Sequence, residues 1–277
     1  MHGEREDLDT IVRKQITACE SIGTYLEGRS LIIDTHLQQI LAGTAARAKE
    51  TFRSMCALAS EHQTVQAAML CRSIFEDMVV THWLVLHEDE PEFLTNRYID
   101  HLDAIRLNEA RTTKRHGYPA ADVSDLAGRE DDLVREFGAN AQRQWWAVRD
   151  DGRPINMPEV IEILEQSTRF GTRMKGEKPI LREMFEKAQK WNNQLLHHTP
   201  EGMPVRLNRD EPMRPLAAPT PQVPRVLIPA YWSYGQIVYL VLDVIPEQDW
   251  RPFEPIFLRG LVEAFGAPIP PDAYGGD

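Results

Sequence analysis

Three observations predict an all-α, multi-helix bundle for these 277 residues. Apolar side chains recur at intervals of three and four throughout the first 200 residues, the spacing that lines one face of a helix. Almost nothing there alternates apolar with polar residues as a half-buried strand would. Glycines and prolines fall where the periodic segments stop, at Gly117, Pro119, Gly171 and Pro200.

Leu8 to Leu26 is the first expected helix. Ser30 to Ser60 is a longer second one, with Leu31, Ile32, Leu37, Ile40, Leu41, Ala45 and Phe52 spaced for burial. Val65 to His87 forms the third, and Pro91 opens a fourth that runs to about Arg115. A more polar helix follows over Val123 to Phe137, then a loop with the tandem Trp145 and Trp146 and a turn from Asp150 to Pro154. Pro158 suits the first position of the next helix, where its missing N–H has no partner to lose, and that helix ends near Phe170 and Gly171. Pro179 to Leu196 completes a core bundle over residues 1–200. From Pro200 to Pro229 the chain carries eight prolines in thirty residues, too many for a helix. That stretch is expected to wrap the surface as an ordered segment, followed by C-terminal helices at about Ala230 to Val244 and Glu254 to Phe265. No internal repeat is visible, so a single domain over 1–277 is the simplest organisation.

A formal charge of −11, from 31 basic and 42 acidic side chains, disfavours broad attraction to DNA, RNA or an anionic membrane. Any polyanion site must be local. Arg106, Arg111, Lys114, Arg115 and His116 form a small basic run, read as a solvated helix end. Cys19, Cys56 and Cys71 are odd in number and far apart, which indicates neither a disulfide framework nor a thiolate zinc site and fits a reducing cytoplasm. The N-terminus lacks the apolar stretch of a signal peptide. The apolar run from Val226 to Pro246 contains Ser233, Gln236 and Asp243, and reads as a buried core helix rather than a membrane span.

Two places carry polar residues on apolar faces. On the third helix Arg72 and Glu76 lie four apart and so side by side, flanked by Met69, Val79 and Val80. They are expected to be buried, and a buried pair needs partners, because each desolvated charge is destabilising by several kcal/mol. His82 falls on the side of Cys71 and Met78, as a core histidine. On the helix before Pro200, Asn192 lies near the centre of the stripe formed by Met184, Phe185, Ala188, Trp191 and Leu195, and His198 falls at its edge. Trp83, Trp191 and Tyr98 are the aromatic binding candidates. No His-x3-His pair, HExxH, phosphate loop, GxSxG elbow or catalytic cysteine signature is present, so neither metal nor cofactor is expected.

Three segments carry a resemblance to a bacterial family catalogued as domain of unknown function 5677: MLCRSIFE at Met69 to Glu76, WWAVRDDGRPINMPEV at Trp145 to Val160, and LHHTPEGM around His198. The arrangement is also similar to the HEPN superfamily of helical, dimer-forming proteins, many of them metal-independent RNases of toxin and anti-phage systems. In that superfamily a late helix carries an arginine, a polar residue and, after four to six further residues, a histidine. This chain has Asn192, Asn193 and His198 there without the arginine, which Arg72 would have to supply from the facing helix. The resemblance thus implies a homodimer acting on RNA, with Arg72, Glu76 and His198 catalytic and Asn192 binding. Two other readings remain open: a non-catalytic interaction module in which Arg72, Glu76, Asn192 and His198 form one buried network, and a small anionic-ligand pocket beside Trp83, Trp191 and Arg72.

Overall fold

The computed structural model describes residues 8–25, 29, 31–61, 63–149, 151–167, 180–191, 205–208, 211–215, 223–245 and 248–266. The described residues form an all-α fold with one short hairpin. The chain divides into two compact units, Met1–His82 with Thr172–Asp277, and Trp83–Gly171.

The first unit is built on α1 (Leu8–Gly23), α2 (His36–Ser60) and α8 (Val223–Val244), which pack on one another. Apolar spacing explains the contact: Leu41, Ala45, Ala48, Phe52 and Met55 recur at three, four and seven along α2 and all are buried. Phe52 stacks on Tyr234 of α8 with ring centroids 4.8 Å apart. α2 starts later than the pattern predicts because Thr35 caps it. The Thr35 Oγ1 accepts from the Gln38 N–H at 3.2 Å, and the Gln38 side chain reaches back to the Thr35 N–H, satisfying two end groups reciprocally. Cys19 and Cys56 are buried thiols, and burial, with Cys56 as a lesser cause, pushes the Cys19 thiol well above its usual range.

α3 (Thr64–Leu86) contributes Cys71, Ile74, Phe75 and Met78 to this core. α7 (Ile180–Phe185) continues into a π-helical stretch, Glu186–Trp191, which packs on α8. Between them and α8 the proline-rich segment holds an antiparallel hairpin, β1 (Val205–Asn208) and β2 (Glu211–Pro215), with Arg206 opposite Arg214. Helix resumes at Val223, earlier than the proline count predicts. Pro224 falls in the first turn of α8, where a missing N–H is tolerated, whereas Pro229 lies inside it and removes one ladder bond. Almost every residue of α8 from Val226 to Leu242 is buried, and no described helix is long and apolar enough to cross a membrane.

α9 (Glu254–Phe265) packs on α1 and α8. Its contact with α8 is closest at two glycines. A Cβ on Gly235 would stand 2.9 Å from the Phe257 Cζ, and one on Gly260 would stand 2.7 Å from the Tyr231 Cζ. The Tyr231 hydroxyl meanwhile donates to the Phe257 carbonyl at 3.1 Å.

The second unit comprises the end of α3, α4 (Pro91–Arg115), α5 (Glu130–Phe137) and α6 (Met157–Gln166). Ala104 and Leu107 of α4 pack against Leu133 and Phe137 of α5 and against Leu126. The polar helix expected from Val123 is shorter, because Ser124–Leu126 forms a separate 3₁₀ turn and Gly128, at φ 88°, turns the chain before α5. Arg97 ties this unit together: its Nε donates to the Trp145 carbonyl at 2.8 Å, its guanidinium pairs with Glu136, and it lies 5.2 Å from the Phe137 ring centre. The basic run is exposed and ion-paired, Arg106 with Asp103 and Asp125 and Arg111 with Glu130.

Candidate functional site

Arg72 and Glu76 stand one turn apart on α3, and the Arg72 Nε donates to the Glu76 Oε1 at 3.1 Å. Their side chains are 41% and 36% exposed. The expected burial of this pair is therefore corrected. Both residues sit at the edge of the apolar arc rather than within it, and the charged heads reach water while the stems lie on the helix. An exposed pair of this kind contributes about 0.3 kcal/mol, and Arg preceding Glu is the weaker of the two i,i+4 orders. The ion pair by itself adds little to the stability of the fold.

Glu76 has a second partner that the sequence does not reveal. Gln189, on the π-helical stretch after α7, is 7% exposed and its Nε2 donates to the same Glu76 Oε1 at 3.0 Å. Phe75 and Phe185 meet beside this bond with ring centroids 6.1 Å apart. The helix carrying Arg72 and Glu76 thus lies against the segment that leads, within three residues of Gln189, to Asn192. The π-helical stretch explains why Gln189 occupies the inner face. Extra residues per turn slip the phase that a 100° wheel assigns, and turns of this type occur frequently at functional sites. Asn192 and His198 lie outside the described residues, as does the side chain of Trp191.

One residue beyond Glu76, Asp77 is 1% exposed and pairs with Arg47 of α2, while its backbone carbonyl accepts from the Thr81 Oγ1 at 2.8 Å. Its Oδ2 has no hydrogen-bond partner among the described residues. The buried charge on α3 is therefore Asp77 rather than Glu76, a difference of about 100° around the helix that the run Phe75-Glu76-Asp77 leaves ambiguous. His82 is buried, as expected, with its Nδ1–H donating to the Met78 carbonyl at 2.9 Å; burial lowers its pKa to about 4 against the pull of that bond.

The other aromatic candidates belong to the second unit. Trp83 is buried, 4.5 Å from the His87 ring centre, and its Nε1 has no partner among the described residues. Tyr98 is half-buried and meets Trp145 edge-on at 5.0 Å. Among the described residues no group of three or more His, Cys, Asp or Glu is arranged to hold a metal ion.

Comparison with known proteins gives one match. The model of the family described as "Family of unknown function (DUF5677)" matches residues 38–212, and the chain belongs to that family. No curated protein and no solved structure matches.

Proposed function

We propose that this DUF5677 member is an RNA-directed protein that cleaves its substrate without a metal, using groups gathered where α3 meets the segment after α7. The observation that carries the reading is the Gln189-to-Glu76 hydrogen bond of 3.0 Å, which fixes Arg72 and Glu76 against the stretch leading to Asn192 and His198. Arg72 and Glu76 are open to solvent, so a strand can reach them, and they add little to stability. Their placement asks for another role.

In this reading the ribose 2′-hydroxyl attacks the adjacent phosphorus and the 5′-oxygen leaves. His198 transfers the proton from the 2′-hydroxyl to the departing 5′-oxygen. Arg72 neutralises charge that builds on the phosphoryl oxygens, taking the place of the arginine that HEPN nucleases carry on their late helix. Glu76 orients Arg72, Gln189 holds Glu76, and Asn192 binds the strand. Two copies associate, as HEPN-like proteins do.

The test is incubation of the purified chain with total RNA in EDTA, beside His198→Ala and Arg72→Gln. Cleavage by the wild type that both variants lose, at unchanged melting temperature, is expected. Intact RNA with the wild type refutes the reading. A second reading has its own support, since the bond from Gln189 to Glu76 joins residues 113 positions apart in sequence. There the cluster only fixes the packing of α3, and Gln189→Leu would lower stability with no activity to lose.

A further inference from the structure

Away from this junction, α1 and α9 flank a groove of about 870 Å³, within the range of small-molecule sites. The two helices run in opposite directions. The Tyr25 ring just after α1 meets the Phe253 ring just before α9 with centroids 4.9 Å apart, and the Arg29 Nη1 beyond it donates to the Gln248 Oε1 at 3.4 Å. Counting away from that contact along both helices, Glu263 comes level with Arg13 and Lys14 near the start of α1, and Arg259 lies towards Ser21 near its end. All four charged residues are exposed and line the groove, with the small Ala18 and Gly260 between its two ends.

One end of the groove thus holds both signs of charge and the other a cation. These charges do not neutralise one another. Among the described residues neither Arg13 nor Arg259 pairs with a carboxylate and Glu263 pairs with no cation, although Arg259 and Glu263 stand one turn apart on the same helix. The Arg13 Nε donates to the Asp9 carbonyl at 3.2 Å, which leaves the other guanidinium donors to a ligand. Ser21 donates its only hydroxyl proton to the Thr17 carbonyl at 2.9 Å, so Arg259 is the charged donor at that end. A lone anion leaves Glu263 unsatisfied and is repelled by it, whereas a cation meets three positive side chains. A ligand that satisfies the whole set carries an ammonium beside one anion and a second anion further along. Arg13 and Arg259 stand about 9 Å apart along the helix axes, a span that two long side chains close onto the two carboxylates of one small molecule.

We propose that this groove binds an acidic α-amino acid, with the ammonium on Glu263, the α-carboxylate on Arg13 beside Lys14, and the side-chain carboxylate on Arg259. The aliphatic stem crosses Ala18 and Gly260. The assignment does not rest on RNA cleavage.

Isothermal titration calorimetry of the full chain with glutamate, glutamine and glutarate tests it, at low ionic strength, where exposed charges are least screened. Glutamate binds. Glutarate, which lacks the ammonium, and glutamine, which lacks the second anion, each bind at least about tenfold more weakly. Glu263→Gln abolishes the preference for glutamate over glutarate, and Arg259→Gln abolishes the preference over glutamine. Both positions are exposed, so the circular dichroism spectrum is unchanged. Absence of glutamate binding at millimolar concentration overturns the proposal. So does glutarate or glutamine binding as tightly as glutamate, or either preference surviving in its variant.

Discussion

Lowering the pH should destabilise this protein through His82. Its ring is 1% exposed, and burial lowers its pKa from 6.5 to about 4 although the Met78 carbonyl favours the charged form. The folded state therefore binds fewer protons than the unfolded state between those two values. Stability contributed by neutral His82 is complete above the unfolded pKa of 6.5 and is lost as pH falls towards about 4. At about 1.4 kcal/mol per pH unit, the whole window amounts to about 3 kcal/mol, a large share of a typical folding free energy. Urea unfolding of the wild type and His82→Leu, from about pH 7.5 to about pH 4, isolates the contribution, because every other titrating group cancels in the difference. The wild type should lose about 3 kcal/mol more than the variant over that range. Parallel stability curves would refute the reasoning and place an accessible, ordinary imidazole at this position.

Other outcomes follow from single contacts. Gly260→Ala should lower stability by about 2 kcal/mol, the crowding of Tyr231 and its bond to Phe257 outweighing the gain in helix propensity; thermal denaturation checks this. Arg97→Met should be destabilising by about 3 kcal/mol, since the Trp145 carbonyl and Glu136 lose their partner together, and urea titration reads it. Arg47→Met leaves the buried Asp77 without its cation and should be destabilising by about 2 kcal/mol, with Arg47→Met/Asp77→Leu recovering most of the loss. Arg72→Gln should shift the melting temperature by less than about 2 °C while abolishing RNA cleavage, because the Arg72–Glu76 pair is half-exposed.

The helical elements are legible in the sequence wherever a buried face repeats. α4 matches its expected bounds at Pro91 and Arg115 because Pro91 starts the helix and Gly117, at φ 77°, follows its end. Other boundaries shift where a local cap decides them, as at Thr35 before α2 and at Asn156, whose side chain accepts from the Glu159 N–H and moves the start of α6 to Met157. The hairpin at Val205–Pro215 is hidden because its proline content argues against strands, yet a two-stranded ribbon has only edges, where proline is tolerated. Within the candidate site, the meeting of α3 with the late helix is foreseen, but its agent is not. Gln189 follows the apolar Ala188 on an ordinary wheel, and only a wider helical turn brings it inward to Glu76. Asp77 is hidden in the sequence because a neighbouring acid four residues after an arginine explains the pattern equally well.

The paired glycines between α8 and α9 have a reach beyond their own contact. Because Gly235 and Gly260 let aromatic rings of the opposite helix press on bare backbone, α9 rests on α8 at a separation that two missing methyl groups define. The same α9 supplies Arg259 and Glu263 to a groove it shares with α1, whose Arg13 and Ser21 line the other side. A methyl added on the inner side would act as a shim under that wall, tilting the arginine relative to Arg13, so that the width of a surface cleft is regulated from the interior by atoms the protein does without.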